Sequence, residues 1–206
     1  MKTWKVFDNV SLGENCVLED FCLVGVAPRG ACEGELPTRI GDGAIIRSHT
    51  VIYAGNEIGM NFQTGNKVNV RESNHIGDNV SIGTLSVIEH HVHIGNNVRI
   101  HTQAFIPEFS VLEEGCWIGP NVVLTNAKYP LSPGVKESLA GPIIRKGAKI
   151  GANATLLPGV EVGENAIVGA GAVVVHDVPT GAVVVGNPAR VINDVSKLPY
   201  PPEYRS

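Results

Sequence analysis

From Ile40 to Leu124 every sixth residue is Ile, Leu or Val, with Thr64 the single exception. A Gly often follows at once (Gly41, Gly59, Gly77, Gly83, Gly95, Gly119), and most units place a small or β-branched residue four positions on (Ala44, Thr50, Val68, Val80, Ser86, Val92). This repeat runs for 85 residues without slipping. A long helix needs apolar residues every 3.6 positions and a flat strand every 2, so a period of six builds neither. It suits a short strand followed by a tight turn, with the aliphatic residue pointing inward. Three such units close one triangular coil of about eighteen residues, and successive coils pair as parallel strands about 4.8 Å apart. The repeat therefore predicts an all-β solenoid in which each coil contacts mainly its neighbours.

The 206 residues suit a single domain, taken here as 1–206. Repeats begin at Val6 and break over 27–39, where two prolines and two glycines predict a loop. They run through 40–126, break again over 127–142, and resume from Ile144 to Val174, before a polar tail over about 193–206. Loops this long inside a compact domain often carry function, and 127–142 is expected to contribute to a substrate site. A net charge of −4 offers no footprint for nucleic acid. The chain has no apolar run near twenty residues, and its first residues lack the apolar core of a signal peptide, so a cytoplasmic setting without a membrane span is expected. Cys16, Cys22 and Cys116 fall on the small inward position of their units, where Cys serves as a small hydrophobe. Cys32 falls in the first loop and is assigned no role.

If one coil takes eighteen residues, positions i and i+18 stack on one face. The column richest in chemistry is then Glu72, His90, Glu108 and Asn126, with Arg71, Glu89, Pro107 and Thr125 one position earlier. A polar column is also what any exposed solenoid face presents, so these residues alone leave both readings open. His101 and Gln103 form a second polar cluster on the adjacent side. His75 and His93 are eighteen apart in a further column.

The repeat, together with Gly186-Asn187-Pro188-Ala189-Arg190-Val191-Ile192, resembles the hexapeptide-repeat acyltransferases. The segment Ile118–Asn126 followed by Tyr129-Pro130 is similar to the branch that acetylates amino groups on nucleotide-linked amino sugars. The resemblance implies a left-handed parallel β-helix, a homotrimer with active sites between subunits, and acetyl-CoA or another acyl-CoA as co-substrate. It implies N-acetylation of an amino sugar on a nucleotide carrier, for surface polysaccharide or lipopolysaccharide synthesis. His90 and Glu108 would be catalytic, and Asn126, Glu89, His101, Gln103 and Tyr129 would bind the acceptor. Gly151, Ala152, Gly169, Ala170 and Arg190 would hold the CoA, and no metal is called for. In sugar O-acetyltransferases of this family a His precedes the Pro that Pro130 resembles; Tyr129 stands there instead, which argues against that activity. Two further alternatives are a γ-type carbonic anhydrase using His75, His90, His91 and His93, because three His ligands suit catalytic zinc, and a non-catalytic scaffold.

Overall fold

The computed structural model describes residues 3–199, so the part of the expected tail beyond 199 lies outside the described residues. Short strands, most of two residues, line three parallel sheets of nine, eight and ten strands. Each strand pairs with the third strand after it until the end of the ten-stranded sheet, where Ile167–Val168 pairs with Ala182–Val185, the second strand after it. Val70 faces Ile88 and Ile88 faces Ile106, so one coil takes eighteen residues. Past the first break Val24 pairs with Ile52, and past the second Leu124 pairs with Leu156, so the two insertions add ten and fourteen residues to a coil. The first lies between Val26 and Thr38 and the second between Leu124 and Ile143, which contains a 3-10 turn at Lys136–Ser138. Both leave the same corner of the triangle, where the chain passes from the nine-stranded to the eight-stranded sheet. The stack ends in an antiparallel hairpin of Ala182–Val185 and Arg190–Asp194. No helix among the described residues is long and apolar enough to cross a membrane.

The aliphatic residues fill the axis: Ile46, Ile52, Ile82, Ile88, Ile106 and Leu124 are at most 1% exposed. Burying one such side chain contributes about 1.5–3 kcal/mol over leaving it in water. The small inward slots follow the sequence pattern at Ala44, Val80 and Ala104, but Phe62, Asn56 and Asn74 are buried in three of them. The two asparagines are satisfied by backbone: Asn56 Nδ2 and Asn74 Nδ2 both donate to the Arg71 carbonyl, each at 2.8 Å. All four cysteines are free thiols; Cys22 and Cys116 are buried, Cys16 is half-buried and Cys32 is exposed. Burial pushes the Cys116 thiol up to about 12.

At the two corners that follow the eight- and ten-stranded sheets, the residue after the inward aliphatic is usually Gly because the next coil lies against it. A Cβ on Gly83 would stand 2.3 Å from the Thr102 backbone nitrogen. Gly83→Ala therefore forces two coils apart, whereas Asn97→Gly keeps the left-handed backbone (φ +59°) that Asn97 already adopts. Ile106→Ala leaves a cavity in the axis and is expected to cost about 2–5 kcal/mol. Urea unfolding should rank Ile106→Ala and Gly83→Ala well below wild type, with Asn97→Gly within about 1 kcal/mol of it.

Candidate functional site

The corner between the nine- and eight-stranded sheets differs from the other two. After the inward aliphatic it carries Tyr53, Arg71, Glu89, Pro107 and Thr125 rather than glycine, and one position later Glu72, His90, Glu108 and Asn126. Consecutive coils stack these residues as the spacing of eighteen requires. Arg71 is the hub. Its Nε and Nη2 donate to the two oxygens of Glu72 at 2.8 and 2.9 Å, and its Nη1 donates to Glu89 at 3.3 Å. The guanidinium lies 5.1 Å from the Tyr53 ring, and the buried Asn56 and Asn74 amides hold its carbonyl. Burial is the largest influence on the Glu72 carboxyl and would raise it, but the bonds and charge of Arg71, a backbone hydrogen bond and the charge of His90 together outweigh it and hold Glu72 below the ordinary carboxylate range. Burial pushes Glu89 up, with Arg71 pulling the other way.

The next coils bring His90, Glu108 and Asn126 together. His90 Nε2 is 3.5 Å from Glu108 Oε1, and Asn126 Nδ2 donates to Glu108 Oε2 at 2.7 Å. Both side chains of the His90–Glu108 pair are about a quarter exposed, at 28% and 25%. The second insertion leaves directly after Asn126 and is tied back to it, since the Ala140 amide donates to the Asn126 carbonyl at 3.0 Å. Tyr129 stands out on that insertion, 66% exposed, with the Lys128 ammonium 5.7 Å from its ring. It is on the loop that borders this corner and is not packed into the column.

His101 and Gln103 lie at another corner, between the ten- and nine-stranded sheets. His101 occupies the glycine position of its coil, between Gly83 and Gly119 in the stack. Its ring lies 4.7 Å from Trp117, its Nε2 is buried without a partner, and burial holds its pKa below the ordinary imidazole value. It borders a cavity of 270 Å³ with Gly65, Gly83, Arg99 and Thr102. Gly151 and Gly169 continue the same column, and the amides of Ala152 and Ala170 have no backbone carbonyl partner among the described residues. Arg190 is exposed on the terminal hairpin and donates to the Ala189 carbonyl at 2.9 Å. The residues singled out in the sequence thus divide between two corners: His90, Glu108, Asn126 and Glu89 at one, His101, Gln103 and the glycine–alanine pairs at the other.

The four clustered histidines also divide. His75 and His93 stack on the eight-stranded sheet (centroids 5.1 Å apart, 4° between planes), with Glu57 3.2 Å from His75, while His90 and His91 stand at the corner. Among the described residues no three His, Cys, Asp or Glu side chains are arranged to hold a metal ion. Sequence reasoning placed Glu72 and Arg71 in the polar columns without giving them a role, named His91 only under the carbonic anhydrase alternative, and passed over Phe109. For Arg71 a signal existed, because it stands where the other two corners carry glycine.

The family described as "Bacterial transferase hexapeptide (six repeats)" matches residues 75–108 and 141–176. A 2,3,4,5-tetrahydropyridine-2,6-dicarboxylate N-acetyltransferase of Staphylococcus aureus (strain JH9) is 46% identical over 81 residues, which is 39% of this chain and 31% of that protein. The match thus spans less than a third of the curated relative's length. Two solved structures share the fold over nearly the whole chain. One is LpxA, a UDP-N-acetylglucosamine acyltransferase from Bacteroides fragilis 9343 (TM-score 0.61, 17% identity, 94% of this chain and 74% of that one). The other is the Arabidopsis UDP-N-acetylglucosamine acyltransferase (TM-score 0.55, 18% identity, 95% and 74%).

The Arg71 network makes a pH-dependent contribution with a definite sign. A carboxyl lowered on folding stabilises the protein above its unfolded value, ordinarily about 4.3 for Glu, and that contribution is lost as pH falls through the folded value. Arg71→Leu removes the strongest of the influences that lower Glu72 and leaves burial opposed only by a backbone hydrogen bond and the charge of His90. Carboxyl ¹³C titration should then move Glu72 upward, and the urea stability lost on acidification below about pH 4.3 should be smaller than in wild type, because the part contributed by Glu72 shrinks.

Proposed function

We propose that this chain, which belongs to the hexapeptide-repeat family and folds as a left-handed parallel β-helix, is an acyltransferase moving an acetyl group from acetyl-CoA, or another acyl group from its CoA thioester, to an amine. The observation that carries the reading is the stacked His90–Glu108–Asn126 cluster at the only glycine-poor corner of the described coils, beside the insertion that leaves after Asn126. The N-acetyltransferase named above, similar over 81 residues, supports acyl transfer to nitrogen.

The acceptor amine is positioned by Asn126 and Glu89 and attacks the thioester carbonyl. The new C–N bond forms, the C–S bond breaks and CoA leaves as its thiolate. His90, or Glu108 with it, takes the proton that nitrogen releases and returns one to the thiolate. An unpartnered amide at Ala152 or Ala170 suits an oxyanion, because a backbone N–H already in place needs no reorganisation. The glycines of that column leave room for a thin pantetheine arm, and Arg190, exposed on the hairpin, suits CoA phosphates through charge-assisted bonds. His101 and Gln103 border the same edge.

The amine corner and the glycine edge belong to different corners of one coil. A homotrimer would bring the corner of one copy against the edge of the next and so complete the site. Acceptor chemistry follows from charge: Glu72, Glu89 and Glu108 face the corner against one Arg, which suits an amine without a carboxylate beside it. That favours an amino sugar on a nucleotide carrier, with the nucleotide extending toward the Tyr129 loop, over the dicarboxylate named in the relative's description.

Two experiments test this. Purified protein incubated with acyl-CoAs and nucleotide-linked amino sugars should yield an acetylated product by mass spectrometry; no product from any amine acceptor overturns the reading. His90→Ala should lower kcat by about 10²–10⁴, the usual contribution of general-base catalysis, and a loss under about threefold removes His90 from that role.

A further inference from the structure

His91, the residue after the column member His90, has no part in the mechanism above, yet it touches it. The two Nδ1 atoms are 2.8 Å apart, with the rings perpendicular (87°). Phe109 walls both rings, at centroid distances of 6.1 Å from His90 and 5.8 Å from His91. His91 is exposed and takes a left-handed backbone (φ +55°), the conformation that Asn or Gly fills at many equivalent turns of this chain. A side chain held at some backbone cost beside a reactive cluster points to a role for that side chain.

Two Nδ1 atoms at this distance share one proton, so one ring donates and the other accepts. The groups facing His90 decide which. Glu108 Oε1 lies 3.5 Å from His90 Nε2, and its other oxygen is already bound by Asn126. Glu72 and Glu89 add negative charge on the same side, and Arg71 is engaged with both. A lone pair on Nε2 would face a carboxylate; an Nε2–H would face it favourably. The proton of neutral His90 therefore sits on Nε2, and Nδ1 accepts from His91. Which nitrogen of an imidazole is protonated is set by the hydrogen bond the other makes.

We infer that His91 is a positioning residue that donates its Nδ1–H to His90, holding His90 as the Nε2–H tautomer against Glu108, so that the Glu108 carboxylate is the group that receives the acceptor's proton. The inference rests on the acyltransferase reading for its consequence in turnover, and on geometry alone for the tautomers. In the step, the proton released by nitrogen as the C–N bond forms passes to a Glu108 oxygen, His90 Nε2–H and Asn126 keep that carboxyl oriented, and the proton then goes to the CoA thiolate. His90→Ala remains damaging on this account, because it removes the donor that orients Glu108.

Long-range ¹H–¹⁵N spectra of the imidazoles in the free protein test the tautomers directly. Wild type should show His90 as Nε2–H and His91 as Nδ1–H; both rings as Nε2–H, or His90 as Nδ1–H, overturns the inference. Turnover tests the consequence. Leu and Asn both place an atom where His91 Nδ1 stands, but only Asn can donate. Leu85 and Leu131 already take this backbone (φ +61° and +66°), so His91→Leu is expected to fold. His91→Leu should lower kcat by about tenfold or more, below the range for losing the base itself. His91→Asn should retain kcat within about threefold and keep His90 as Nε2–H. Equal kcat in the two variants overturns the role. If no amine is acylated, the acyltransferase reading fails while the spectra still decide the tautomers.

Discussion

Every turn of this solenoid depends on one backbone demand: the chain must enter the left-handed region once per hexad. Asn61, Asn79, Asn97 and Gly115 meet it along one corner, six residues being one side and eighteen one coil. There the asparagines also bond to one another, Asn61 to Asn79 at 2.9 Å and Asn79 to Asn97 at 3.2 Å. For other residues the left-handed conformation costs roughly 1–2 kcal/mol each. Leu85 and Gln103 accept that cost at a second corner, and Ser73, His91 and Phe109 at the third. The axial column of buried Ile and Leu offsets it, since each side chain contributes about as much as one such turn costs. The chain thus keeps low-cost residues at the corner that serves only to turn, and puts other side chains where its polar chemistry is gathered.

Much of this was legible because a solenoid makes sequence distance into spatial distance. A period of six predicts the inward column, and eighteen predicts that Glu72, His90, Glu108 and Asn126 share a face; both rest on counting. The two breaks were also visible, although their bounds shift by a residue or two, to 27–37 and 125–142. Other features were out of reach for physical reasons. Asn56 and Asn74 sit in slots the pattern assigns to small apolar residues, and their burial makes sense only once the Arg71 carbonyl is seen to accept from both. The division of His101 from His90 between two corners follows from the coil, but period alone does not say which sides form a common groove. The His90–His91 contact joins sequence neighbours whose rings meet only because the turn between them is left-handed.

The placement of the insertions and of the polar cluster at one corner has a common cause. At the other two corners the coils lie so close that an added Cβ would strike backbone: 2.8 Å from Gly59 and Met60 at Gly41, and 2.3 Å from Thr102 at Gly83. Where glycine stands at those corners the next coil leaves no room for a side chain, although Glu19, Arg47, His101, Glu113 and Arg145 take the same position in other coils, and neither corner releases an insertion. The third corner carries Tyr53, Arg71, Glu89, Pro107 and Thr125 instead, while its coils stay joined backbone to backbone, Arg71 N–H donating to the Ile88 carbonyl at 2.8 Å and Glu89 N–H to the Ile106 carbonyl at 2.9 Å. Both insertions depart there, and there the carboxylates can gather around Arg71 without unpaired burial. Both insertions of this chain are therefore confined to one edge, the edge that also gathers the Arg71 and His90–Glu108–Asn126 clusters, and the stack that holds them continues unbroken on the other two sides.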